Sequence, residues 1–155
     1  MTDALVLKQG YIAPMTEDEL DKARRMDDLL RGLPPADIST GHVLHAGMYA
    51  RTVMIPAGTA LTGALIKIAT VQIVSGDVMV SLGDRAERLV GYHVLAGAAG
   101  RKQGFVAMKD TYLTMLFPTD AQTVEEAENQ FTDEADQLLS RQPCASNKIL
   151  IMTGG

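Results

Sequence analysis

"IPAGTALTGALIKIATVQIVSGDVMV", residues 55–80, is the stretch on which the fold turns. Pro56-Ala57-Gly58 reads as a turn, because proline presets one backbone angle and glycine accepts the left-handed one. Short runs rich in Val, Ile and Thr follow, and Ser75-Gly76-Asp77 is a second expected turn. β-Branched side chains suit a pleated, half-buried surface better than a helix. The same rhythm extends from His42 to Phe117. Strands are expected near residues 43–46, 48–55, 64–67, 70–75, 77–82, 87–95, 103–108 and 111–117. Further turns are expected at Leu82-Gly83-Asp84 and across residues 96–100. Short strands at such even spacing predict an all-β sandwich or barrel. No βαβ alternation appears, which argues against a doubly wound sheet.

The flanks read differently. Residues 1–15 form an arm with a short strand expected near Leu5–Leu7. In "TEDELDKARRMDDLLRGLPP", Thr16 and Glu19 form a capping box, each side chain satisfying a free N–H of the first turn. Leu20, Ala23, Leu30 and Leu33 mark an apolar face, and Gly32 with Pro34-Pro35 closes the helix. In "TVEEAENQFTDEADQLLSRQP", Thr123 and Glu126 repeat the capping pattern. Val124, Ala127, Phe131, Ala135 and Leu138 share one face. Residues 148–152 read as a strand-like tail that packs on its own barrel or on a neighbouring subunit. The expected organisation is a single domain: arm and helix over 1–41, barrel over 42–118, helix and tail over 119–155.

At 155 residues and 46% hydrophobic, the chain can bury one core. A net charge of −5 argues against general nucleic-acid binding, which needs a concentrated positive surface. Lys22, Arg24 and Arg25, and the pair Arg101-Lys102, read as solvated faces rather than phosphate sites. The lone Cys144 excludes an internal disulfide and a cysteine-built zinc site. No run approaches the roughly 18 apolar residues of a membrane span, and no secretory signal begins the chain. A soluble protein of the cytoplasm, without membrane partners, is expected.

The β-region resembles the cupin superfamily, whose members are small jelly-roll barrels. Gly58 is followed after five residues by Ala64, then Ile66 and Thr70, with a closing Gly76. This is the spacing of a first cupin motif, with the closing glycine one residue early, and that motif carries His-x-His and Glu at those places. Gly91, Gly100, Gln103 and Ala107 follow the second motif, with Gly91 one residue further away than usual, and histidine and asparagine are usual in the last two places. The wording "HAGMYARTVMIPAGTALTGALIKI", "GYHVLAGAAGRKQGFVA" and "LTMLFPTDAQTVEEAENQFTDEA" is similar to a set of cupin-like proteins encoded by bacteriophages and prophages, over roughly residues 42–140. The resemblance implies a cupin-like jelly-roll barrel flanked by an N-terminal and a C-terminal helix. It also implies assembly with copies of itself through sheet faces or terminal strands.

The same positions argue against a metal. A transition-metal site needs imidazole, thiolate or carboxylate donors converging on one point, and Ala64, Ile66, Thr70, Gln103 and Ala107 supply none. His45 with His93 is the alternative metal pair, weighed against histidines that are simply hydrogen-bonded. No cofactor is expected. Tyr49 and Arg51 alternate onto one strand face. With Gln103 and Tyr112 they are candidates to bind a small polar or anionic ligand, Arg51 as a bidentate clamp. The competing reading pairs Arg51 with an acidic helix residue. In "AGAAGRKQG" (residues 96–104) the backbone offers an anion nest beside Arg101 and Lys102, with a plain rim loop as the alternative.

The expected function is therefore a metal-free, homo-oligomeric binding or assembly module of phage or prophage type, rather than an enzyme. Its expected partners are its own copies, other phage proteins and a small ligand, in the host cytoplasm or the virion. A virion structural component and a divergent cupin isomerase or dioxygenase are the alternatives.

Overall fold

The computed structural model describes residues 10–33, 38–83, 85–143 and 145–152. The strand expected near Leu5–Leu7, the Pro34-Pro35 stop and Cys144 lie outside the described residues. Within them the core is all-β, with one helix before it and one after it. The elements in chain order are β1 (Tyr11–Ile12), α1 (Glu17–Arg31), β2 (Ser39–His45), β3 (Met48–Ile55), β4 (Ala60–Thr62) and β5 (Thr70–Leu82). Then come β6 (Arg85–Gly97), β7 (Gly104–Ala107), β8 (Thr111–Pro118), α2 (Val124–Phe131), two 3₁₀ turns (Ala135–Gln137 and Leu139–Arg141) and β9 (Ser146–Ile151). The strands run in the order β1-β6-β5-β8-β3-β2-β9, and β7 joins β4 to β5 on the other side of a jelly-roll barrel.

β5 is the hinge between the two sides. Residues Val71 to Ser75 pair with β8, while Val78 to Ser81 pair with β7. The expected turn at Ser75-Gly76-Asp77 is instead the corner where one continuous strand changes partners. Gly76 is there for space: a Cβ would lie 2.5 Å from Thr111 Oγ1 and 2.8 Å from its Cα. The turn at Gly58 is present, with φ of +81°.

The expected strand over 64–67 does not form, because its backbone is bonded elsewhere. Leu65 N–H donates to Glu134 Oε1 (2.9 Å), Ile66 N–H to Arg101 O (2.8 Å) and Lys67 N–H to Phe131 O (2.8 Å). A polar side chain and a helix end hold this segment against the barrel mouth.

Both helix starts follow local chemistry. Glu19 N–H donates to Thr16 Oγ1 (3.1 Å), and Thr16 N–H donates to Glu19 Oε1 (3.0 Å). Glu126 N–H likewise donates to Thr123 Oγ1, but the Glu126 carboxylate takes the Gln122 N–H, so this second box is only half closed. Gly32 ends α1 in a right-handed conformation, and Leu33 is exposed rather than part of the packing face.

Two apolar clusters result. One fills the barrel with Ile55, Val74, Val78, Leu89, Leu95 and Leu113, and takes in Leu20 and Ala23 from α1. The other joins Tyr49 and Phe117 of the sheet to Val124, Ala127, Phe131, Ala135 and Leu138 of the C-terminal segment. The tail strand β9 pairs in parallel with β2 of the same chain.

Candidate functional site

A cavity of about 150 Å³ lies between the two clusters, lined by Phe105 and Leu113 from one and Phe131 and Leu138 from the other. Ile66 and Met115 also face it without filling it. This end of the barrel is hollow, and its wall is far from purely apolar. Arg51, Arg101, Lys102, Gln103, Gln72, Thr62 and Glu134 all reach it, and α1 contributes Asp27 and Arg31 at the mouth.

Tyr49 and Arg51 do share a face, but the face lies under α2. Tyr49 is fully buried against Phe117 and Phe131 and is not part of the cavity wall. Burial pushes its hydroxyl up to about 12. Arg51 touches the cavity with its charge already engaged. Its guanidinium lies 2.7 Å from Glu128 Oε2, donates to Ser140 Oγ (3.0 Å) and sits 5.5 Å over the Phe131 ring. Glu128 also accepts from Arg141 Nε at 2.8 Å. Burial works to raise the Glu128 carboxyl, and Ser140, Arg141 and Arg51 overcome it, holding it below the ordinary carboxylate range. The clamp expected of Arg51 is a structural ion pair with an acidic helix residue.

Arg101 and Lys102 correct the expectation of a solvated face, since they are 1% and 2% exposed. The chain turns at Gly100 and re-enters the barrel, so the two cations form wall rather than rim. Lys102 Nζ is matched by Glu134 (3.0 Å) and Asp27 (3.3 Å). Four of the N–H groups of the expected anion nest are already engaged. The N–H groups of Ala98, Gly100 and Arg101 donate to backbone carbonyls, and that of Lys102 to the Met15 sulfur.

Arg101 is held differently. Its Nη2 donates to Thr70 Oγ1, its Nη1 to Ala98 O (2.6 Å) and its Nε to Gln103 Oε1 (3.4 Å). Among the described residues it makes no ion pair. Burial alone lowers its pKa to about 10, leaving it charged at neutral pH. Gly97 makes room for the guanidinium, since a Cβ there would stand 2.6 Å from Arg101 Cζ.

Thr70 and Gln103 occupy two places where the cupin motifs would carry metal ligands, and both accept hydrogen bonds from this cation. Ala64 and Ile66, at two more of those places, also line the cavity. The residues present do not fit a metal. His45 and His93 stand on β2 and β6, four places apart in the strand order. His93 Nε2 lies 2.9 Å from Val90 O, and His45 Nδ1 is buried without a partner. The described residues contain no group of three or more His, Cys, Asp or Glu placed to hold a metal ion. Tyr112 is 54% exposed on the outer sheet face, away from the cavity.

Sequence reasoning missed Gln72, Thr62, Thr70 and Glu134. Gln72 carried a signal, as a polar residue at an inward position of the run Thr70 to Val74. Gln72 Oε1 and Thr62 Oγ1 are both buried in the cavity wall with no hydrogen-bond partner.

No protein-family profile matches the chain, and no curated protein does. Solved structures are similar in part. KdgF from Halomonas sp. is 20% identical over 56% of this chain and 84% of that one, with a TM-score of 0.46. A cupin superfamily protein from Desulfitobacterium hafniense DCB-2 is 12% identical over 59% and 88%, at 0.44. A cupin-2 domain protein from Shewanella frigidimarina is 13% identical over 64% and 97%, at 0.43.

Proposed function

We propose that this protein is a metal-free binding module whose barrel takes a small polar or anionic molecule, and that it works as a homo-oligomer of phage or prophage type in the host cytoplasm. One observation carries the reading: Gln72 and Thr62 line the cavity, and Gln72 Oε1 and Thr62 Oγ1 are buried in its wall without partners. More than 90% of buried polar groups are hydrogen-bonded in folded proteins, and each exception calls for a partner. A bound molecule supplies one. The test is a thermal-shift screen of the full chain against small acids, amides and polyols. A ligand at about 100 times its Kd stabilises by about 2.7 kcal/mol, or roughly 5–10 °C at this size. If no compound moves the transition, the binding reading is lost.

A second reading, assembly in a virion, draws on the outer face of the sheet. Val94, Ile73, Thr114 and Thr52 stand in register across β6, β5, β8 and β3. Val71, Leu116, Ala50, Val43 and Leu150 form a parallel row. Tyr92, Val94, Tyr112 and Leu150 on this face are each more than half exposed. Contiguous apolar surface of this kind marks an interaction site, and a second copy is the proposed occupant. The isomerase or dioxygenase reading has no comparable observation behind it.

Among the described residues, no helix is long and apolar enough to cross a membrane.

A further inference from the structure

The reading of the barrel as a binding site leaves its ligand class open, and the charges of the wall narrow it. Three of the four cations at the cavity face protein carboxylates. Arg51 meets Glu128, Lys102 meets Glu134 and Asp27, and Arg31 meets Asp27. Arg101 meets none, although it is 1% exposed. A buried charge is ordinarily paired, because desolvation without compensation is expensive.

Its hydrogen-bond inventory is also incomplete. A guanidinium has five N–H groups, and Arg101 uses one on each of Nε, Nη1 and Nη2. One N–H remains on each terminal nitrogen, which is the pair of donors a carboxylate can take. Thr70 and Gln72 are successive inward positions of β5. Gln72, whose Oε1 is unpartnered, therefore stands roughly 7 Å along the strand from Thr70, the anchor of the guanidinium. Between and around them the wall is hydrocarbon: Leu61, Phe105, Leu113 and Met115. A cavity of about 150 Å³ admits a benzene-sized body.

We propose that the cavity binds a small monocarboxylate with a compact hydrocarbon body, its carboxylate on Arg101 and a polar substituent facing Gln72. The guanidinium then does for an acid what a bound metal cation does elsewhere, with no metal to load or lose. A dianion would exceed the single free charge. A neutral amide would leave Arg101 unpaired.

The proposal rests on the binding reading above, and one set of titrations separates the two. Isothermal titration of the full chain at pH 7.5 compares benzoate, 4-hydroxybenzoate, benzamide, phthalate and inorganic phosphate. Benzoate is expected to bind at one site, at least tenfold tighter than benzamide or phthalate. The 4-hydroxy group should strengthen binding, and Gln72→Leu should remove that gain. Arg101→Gln should bring benzoate down to the level of benzamide. Gly97→Ala keeps the charge but drives a methyl into the guanidinium, and should weaken benzoate at least tenfold in a chain with native circular dichroism. Equal affinity for benzoate and benzamide overturns the carboxylate assignment while leaving a binding barrel. Phosphate as tight as benzoate overturns the need for a hydrocarbon body. No heat from acid or amide overturns both readings.

Discussion

At Glu128 one carboxylate holds together a strand, a helix and a 3₁₀ turn. It is 1% exposed and accepts from Arg51, Ser140 and Arg141. Removing one member of a buried pair leaves the other charge stranded, which costs about 3–5 kcal/mol. Arg51→Ala should lower stability by that order in urea unfolding followed by circular dichroism. His42 is locked nearby. Asn147 Nδ2 donates to Ser140 O (2.9 Å), which turns its Oδ1 toward His42 Nε2 at 2.7 Å. Nε2 therefore carries the proton, and Nδ1 accepts from the Tyr49 hydroxyl at 2.7 Å. Burial holds the His42 pKa below its ordinary 6.5, although Asn147 works to raise it. For a depressed pKa the unfolded chain binds the extra proton, so stability is complete above about pH 6.5 and declines as pH falls. Glu128, depressed as well, adds a second loss below the ordinary carboxylate range. Melting temperature should thus fall in two stages on acidification. His42→Asn should remove the first stage, and a titration that stays two-stage in that variant would contradict the assignment.

Among the elements, β5 and β9 make the most specific demands. Gly76→Ala sets a methyl against the Thr111 backbone, where nothing flexible can yield. A loss of about 1–3 kcal/mol, the usual range for overpacking, is expected in the same unfolding assay. β9 rests on β2 through a parallel ladder and the Asn147–His42 bond. Deleting residues 143–155 should leave the barrel folded and cooperative by circular dichroism, with a lowered melting temperature. If the tail also joins subunits, light scattering should show a smaller mass.

The strand rhythm was readable here because most strands bury alternate residues, and local period-two patterning records that directly. The corner at Gly76 and the missing strand at 64–67 were not readable. Both are decided by partners far along the chain, Thr111 in one case and Glu134 and Phe131 in the other. The same limit applied to the site. Arg101 and Lys102 look solvated beside small loop residues, and only the return of the chain at Gly100 buries them. That positions 64, 66, 70, 103 and 107 carry no imidazole, thiolate or carboxylate was legible, because it is a statement about residue types at fixed spacing. The cation standing beside Thr70 and Gln103 was not, because it comes from an unspecified place between Gly100 and Gln103 whose side chain only the fold turns inward.

At the scale of the molecule, the outer sheet face carries the prediction. Tyr112 is exposed on β8 at its middle, Tyr92 and Val94 on β6 toward one edge, and Lys148 stands at the opposite, β9 edge. A second copy laid on this face would cover these exposed side chains. Val94→Lys should therefore yield a monomer by light scattering while the circular dichroism spectrum stays native. An unchanged mass would move the interface elsewhere.

The void between the two apolar clusters also sets how the protein responds to compression. Unfolding removes internal free space, so folded proteins lose volume on denaturation, typically about 20–100 mL/mol, in proportion to their voids. Whatever part of the cavity of about 150 Å³ water leaves empty adds to that volume change. High-pressure fluorescence should therefore find a lower unfolding pressure for the empty protein than for one whose cavity is filled. An occupant that fills the chamber would be read directly as added resistance to that pressure.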